Sequence, residues 1–175
     1  AKRRASGARA VWRAAMSRHL NIPIFIPHLG CPNQCVFCNQ RTITGRKEFD
    51  PETVKTTIEE ALFTIGENTE TEIAFFGGSF TGIDRELMIY LLDVAQSFVD
   101  RADDGRARVT GIRMSTRPDY IDGEIIEILK KYTISAVELG IQSTSDKVLS
   151  ASRRGHTAKQ SETACKLLTE ANFEI

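Results

Sequence analysis

The segment Cys31-Pro32-Asn33-Gln34-Cys35-Val36-Phe37-Cys38 places three cysteines on one short stretch, spaced Cys-x3-Cys-x2-Cys. Thiolate sulfur is a soft ligand suited to iron–sulfur clusters, zinc or copper. Ordinary electron-transfer clusters are closed by four cysteines. Three thiolates would hold three irons of a 4Fe-4S cube and leave the fourth iron free for chemistry. Zinc stays open as an alternative, with His28 three residues before Cys31 as a fourth ligand. Against zinc, the spacing differs from the paired Cys-x2-Cys knuckles of zinc ribbons and fingers, and a second ligand pair is missing. Gly30 and Pro32 bracket Cys31 and favour a turn. Phe37 reads as apolar cover that would shield a cluster from water.

Composition bounds what else the chain does. Its 175 residues are about one domain's worth of chain, and 41% hydrophobic content is enough for a real core. No apolar run approaches the roughly 20 residues that span a bilayer, so no membrane association is expected. The formal net charge of zero hides an asymmetry. Residues 1–20 carry Lys2, Arg3, Arg4, Arg9, Arg13 and Arg18 and no acidic residue, which leaves 17 basic against 23 acidic residues beyond position 20. Nucleic-acid binding would therefore need a local basic patch. Residues 1–20 read as a basic segment, flexible or derived from upstream sequence with Met16 as an internal start. Residues 21–175 read as the folded part. Three clustered cysteines, with Cys165 alone on a helical pattern, are not the dispersed set of a secreted disulfide scaffold. With no apolar signal segment visible, the pattern points to a reducing cytosol and a cytoplasmic location.

Beyond residue 20, strand and helix signals alternate. Ile22 to Pro27 reads as a short strand weakened by its two prolines. Asp50-Pro51 predicts a helix start, with Val54, Ile58, Leu62 and Ile65 as its buried stripe. Ile73 to Phe76 is a buried strand running into Gly77-Gly78-Ser79-Phe80. Asp84 caps a helix that buries Leu87, Leu91, Val94 and Phe98. Val109 to Met114 is a third strand, and Asp122 caps a helix carrying Ile125, Ile126 and Leu129. Ala136 to Ile141 is a fourth strand, Thr157 caps a fourth helix holding Ala164, Cys165 and Leu168, and Phe173 to Ile175 starts a fifth strand. Alternating strands and helices imply an α/β fold of parallel strands with helical crossovers. Active sites gather at strand C-termini in barrels and in open doubly wound sheets alike, so the alternation leaves both open.

The unusual residues fall just after those strand ends. Gly77 and Gly78 lack Cβ atoms, so they suit close approach of backbone to a ligand or a tight turn. Arg117 and Arg154 could each pair a carboxylate bidentately. Their plainer readings are a rim salt bridge for Arg117 and a surface charge for Arg154. Gln142 could bond a ribose hydroxyl or be an ordinary loop amide. Glu138, within a strand, would orient Arg154 or face a barrel interior. His156 reads as a helix-entry residue or a catalytic one, and Cys165 as a small core residue.

Cys31, Cys35 and Cys38, with Phe37 in the usual aromatic position, resemble the signature of radical S-adenosylmethionine (SAM) enzymes. The likeness spans about residues 22–175. Gly77-Gly78-Ser79-Phe80, Thr116-Arg117-Pro118-Asp119, Glu138 to Ser143 and Arg154-Gly155-His156-Thr157 resemble segments of the radical domain of the Elongator catalytic subunit and of oxygen-independent coproporphyrinogen oxidases. The resemblance implies a partial (β/α) barrel of four units, truncated within a fifth, holding a 4Fe-4S cluster on the three cysteines. It implies SAM bound by Gly77, Gly78, Ser79, Arg117, Gln142 and Arg154, with Arg154 favoured for its carboxylate. Ser115 stands where such enzymes often carry a ribose-binding glutamate, which would weaken that contact. The implied reaction is one-electron cleavage of SAM to methionine and a 5′-deoxyadenosyl radical, which takes a hydrogen atom from the substrate. A low-potential flavodoxin or ferredoxin would supply the electron, and a tRNA base is one candidate substrate. Rival readings are a non-catalytic iron–sulfur electron-transfer module and a zinc-stabilised binding domain.

Overall fold

The computed structural model describes residues 18–26, 29–31, 35–38, 49–66, 69–99, 101 and 108–175. His28, Pro27, Pro32 and the basic stretch through residue 17 lie outside the described residues. The element order is β1 (Arg18–Phe25), α1 (Thr53–Thr64), β2 (Thr69–Phe76), α2 (Arg85–Val99), β3 (Arg108–Thr116), α3 (Gly123–Leu129), β4 (Ile134–Leu139), α4 (Asp146–Ala151) and α5 (Ala158–Glu170). Single 3-10 turns at Phe80–Gly82 and Pro118–Tyr120 follow β2 and β3. All strand pairs are parallel, and the sheet order is β1-β2-β3-β4. A doubly wound sheet reverses its strand order part-way. Here each strand lies beside its predecessor, as in a (β/α) barrel, and the four units form an open sector of one.

Helix entries follow local side-chain chemistry. The Asp84 carboxylate accepts from the amides of Glu86 and Leu87, both at 3.0 Å. Asp122 accepts from the amide of Ile125 at 2.8 Å. Thr157 and Gln160 form a reciprocal capping box at the start of α5. The first helix departs from expectation. Asp50 accepts from the Glu52 amide at 3.0 Å and caps a turn through Pro51, and α1 begins only at Thr53. Helix α4 was not foreseen, because six residues are too few to show a helical period.

β1 begins at Arg18, four residues before the expected start, so residues 18–20 belong to the sheet rather than to the basic segment. The extension is made by backbone pairing of Arg18, His19 and Leu20 with Thr69, Glu70 and Thr71. Hydrophobic patterning cannot show that pairing. Pro23 is tolerated because β1 is the edge strand.

One sheet face packs beneath the helices. Ile22, Ile24, Ile73, Phe75, Ile112, Met114 and Val137 meet Val54, Ile58, Met88, Leu91, Leu92, Ile125, Leu129, Ala164 and Leu168. Phe75 and Phe80 stack with centroids 4.5 Å apart. Leu62, Ile65, Leu87 and Val94 are partly buried against this layer, and Cys165 is half-buried. Beyond α5, the Val137 amide donates to the Glu174 carbonyl at 2.8 Å, a sheet-type bond beside β4 where a fifth strand was expected. Among the described residues, no helix is long and apolar enough to cross a membrane.

Candidate functional site

A cavity of about 340 Å³ opens at the C-terminal ends of β2, β3 and β4. Its walls come from Cys31 and Cys38 of the cysteine loop, Gly78 after β2, Ser115, Thr116 and Arg117 at the end of β3, and Glu138, Leu139, Gly140, Gln142 and Arg154 from β4 onward. Seven residues expected from sequence to hold cluster or SAM therefore share one space: Cys31, Cys38, Gly78, Ser115, Arg117, Gln142 and Arg154.

The cysteine loop is fastened to the sheet by backbone. The Ser79 amide donates to the Leu29 carbonyl at 3.0 Å. A Cβ at Gly78 would lie 2.2 Å from that same carbonyl oxygen, so only glycine lets the two segments touch. The loop's far side is tied down too, since the Val36 amide donates to the Ser152 carbonyl at 3.1 Å. Cys35 is buried, Cys31 half-buried and Cys38 exposed.

Two buried guanidinium groups adjoin the thiols. Arg117 is 2% exposed. It donates from Nε and Nη2 to the two carboxylate oxygens of Asp119, at 2.9 and 2.7 Å. Burial pushes its pKa down, and the bonds to Asp119 more than offset that. Arg154 is 9% exposed. Its Nη2 donates to the Gly140 carbonyl at 2.6 Å and its Nη1 to Cys35 Sγ at 3.5 Å. Arg117 Nη1 and Arg154 Nε are buried without a hydrogen-bond partner among the described residues. Burial raises the Cys31 thiol above its ordinary pKa, and the fields of Arg117 and Arg154 oppose the rise. A metal binding there would displace the thiol proton.

His156 lies behind this wall. One ring nitrogen, Nε2, sits 3.2 Å from the Ile141 carbonyl, which only accepts, so Nε2 carries the proton. Burial lowers the pKa of the ring. The neutral ring and the 3.9 Å separation from Asp119 make that pair no ion pair at neutral pH. The geometry is that of a helix-entry support.

Several expected contacts lie elsewhere. Ser79 is 0% exposed. Its hydroxyl is 2.9 Å from Thr116 Oγ1, which in turn is 2.6 Å from Thr81 Oγ1, and it accepts the Arg117 amide at 3.2 Å. Ser79 thus supports the rim from beneath. Gly77, with a left-handed φ of 99°, lies under the Phe25 ring. Phe37 is 56% exposed and does not line the cavity. Glu138 does not bond Arg154. Its carboxylate accepts from Ser115 Oγ at 2.9 Å and from Arg113 Nη1 at 3.1 Å. Arg113 Nε also meets Glu72 at 2.7 Å, and His19 Nε2 lies 3.2 Å from the same Glu72 oxygen. This ladder crosses all four strands on the face opposite the apolar layer. Register shifts at Thr71/Glu72 and Ile112/Arg113 set its spacing.

A family model for the radical SAM superfamily matches residues 25–175. The chain belongs to the radical SAM superfamily. Among curated relatives, it is 28% identical over 154 residues to a Methanocaldococcus jannaschii protein named "Putative methylthiotransferase", covering 85% of this chain and 32% of that protein. It is 25% identical over 181 residues to the tRNA uridine(34) acetyltransferase of the same organism, covering 83% of this chain and 33% of the relative. The chain thus spans about a third of the length of these relatives. The solved structure of archaeal Methanocaldococcus infernus Elp3 with an N-terminal deletion superposes with a TM-score of 0.60 at 20% identity, over 91% of this chain and 37% of that one. That likeness supports the radical SAM fold as a partial barrel.

The superfamily implies SAM and a 4Fe-4S cluster, and the residues present fit both. Among the described residues, no three His, Cys, Asp or Glu side chains come together as one metal ion requires. A cube whose irons each take one thiolate asks for a wider spread than one ion taking all three. Two buried guanidinium nitrogens of cavity-lining residues, Arg117 Nη1 and Arg154 Nε, have no partner among the described residues and match an anionic ligand group. Thr116, Leu139 and Gly140 line the cavity yet were not singled out as site residues. Their position at the tips of β3 and β4 was the available signal.

Proposed function

We propose that the chain is the radical SAM catalytic module of its protein, with Cys31, Cys35 and Cys38 holding a 4Fe-4S cluster through three of its irons. The observation that carries this reading is the placement of the cysteine loop and two buried, partly unpartnered arginines on one rim cavity. A cluster and SAM held there would supply one-electron reductive cleavage of the sulfonium and, from it, hydrogen-atom abstraction from substrate.

The chain's own residues bind and orient. Arg117 Nη1 and Arg154 Nε offer charge-assisted donors to the SAM carboxylate. Gly78 lets the cysteine loop pack against the end of β2 at the cavity wall, and Gln142 and Ser115 supply neutral polar groups at the strand ends. Gln142 holds a left-handed φ of 68°, an unfavourable conformation for this residue, which is the kind of strain found where a side chain is aimed at a ligand. The electron donor in this reading is a low-potential flavodoxin or ferredoxin. The substrate class is a tRNA base, supported by the name of one relative; acetyl transfer is not part of the proposal. The test is anaerobic cluster assembly, then dithionite reduction with SAM. Release of 5′-deoxyadenosine is expected, and zinc without iron or sulfide in the purified protein would reject the reading.

A further inference from the structure

Arg154 reaches Cys35 across 119 positions of sequence, and the protein is built locally to hold it there. The loop after α4 turns through Arg153 and Gly155, both in the left-handed region with φ of 55° and 82°. The Arg154 amide is fixed to the Leu149 carbonyl at 2.9 Å. The same loop receives the Val36 amide on the Ser152 carbonyl, so cysteine loop and arginine loop are tied backbone to backbone. The guanidinium then divides its donors: Nη2 goes to the Gly140 carbonyl and Nη1 to the Cys35 sulfur. Gly140 makes the first contact possible, because a Cβ there would lie 2.6 Å from Nη2. Nε has no hydrogen-bond partner among the described residues and stays available to a ligand.

We infer that Arg154 is a positioning residue that tunes the cluster, donating a charge-assisted hydrogen bond to the Cys35 sulfur and so favouring the reduced state. Hydrogen bonds to the cysteine sulfurs are among the determinants of cluster potential. Reduction adds one electron, part of whose density falls on the thiolate ligands. A cationic donor at Cys35 therefore stabilises the reduced cluster more than the oxidised one and raises the potential. Cys31 and Cys38 have no such bond among the described residues, so the three cysteines are electronically unequal. This inference rests on the radical SAM reading and adds to it a role for Arg154 beyond the ligand carboxylate.

The experiment is a redox titration of the anaerobically reconstituted chain, without SAM, followed by electron paramagnetic resonance. Arg154→Met removes donor and charge. Gly140→Ala keeps the charge and displaces Nη2, since the other neighbours of the added Cβ lie at 3.5 Å or beyond. The expected result is that Arg154→Met lowers the reduced-to-oxidised ratio at fixed potential at least tenfold, or about 59 mV for one electron. Gly140→Ala shifts it in the same direction by less. Unchanged potentials in both variants would overturn the inference and leave the radical SAM reading standing. A fall in Arg154→Met with none in Gly140→Ala would also overturn it, because charge alone would then act. A parent chain that assembles no iron–sulfur cluster would remove both readings together.

Discussion

The helix-covered face of the sheet and the rim at its strand ends are made by the same four strands under opposite rules. On the covered face, Ile73, Phe75, Leu91, Ile112 and Met114 are fully enclosed by other apolar groups. At the rim, buried polar atoms of Arg117, Arg154 and His156 have no partner among the described residues. Non-glycine residues take left-handed backbone there, at Gln142 and Arg153. The covered face holds the fold together. The rim keeps binding capacity in reserve and costs stability to do so, as functional sites commonly do.

Substitutions separate the two regions. Cys38→Ser should abolish cluster assembly, seen as loss of iron and sulfide, while changing the denaturation midpoint little because Cys38 is exposed. A large loss of stability in that variant would break the division. Phe75→Ala should do the reverse, destabilising by about 3–5 kcal/mol in denaturant titration, since the ring is fully buried and stacked on Phe80. Thr116→Val sits between the regions. It removes the hydroxyl that joins Ser79 and Thr81, with an expected cost of about 1–3 kcal/mol and weaker SAM binding by calorimetry.

The smallest effect is a pH dependence. The folded-state pKa of His156 is lowered by burial, so the unfolded chain binds this proton more readily. The stability contribution of His156 is therefore intact above the ordinary histidine range near 6.5. It is lost as pH falls from there toward the folded pKa. A His156→Asn variant should show a smaller drop in Tm between pH 7.5 and 5.5 than the parent, and an equal drop would assign the acid sensitivity elsewhere.

Local chemistry made much of this legible from sequence. Asp84, Asp122 and Thr157 each announce a helix because the cap and its amide partners lie within three residues of one another. The cysteine spacing points to the proposed metal site for the same reason. Long-range placement was not legible. Ser79 turns inward to Thr116 across 37 positions. Ser115 and Glu138 pair only because of the β3–β4 register, which shifts at Ile112/Arg113. Nothing in its neighbours marks Gln142 for positive φ. Arg154 meets Cys35 through tertiary packing alone.

The central claim is that three cysteines on this rim hold a cluster with one corner open to SAM. Electron paramagnetic resonance of the reduced, reconstituted chain, recorded with and without SAM, tests it most directly. The account requires a 4Fe-4S spectrum that changes on SAM addition and is absent in Cys38→Ser. A cluster spectrum indifferent to SAM, or one that persists in Cys38→Ser, would contradict it.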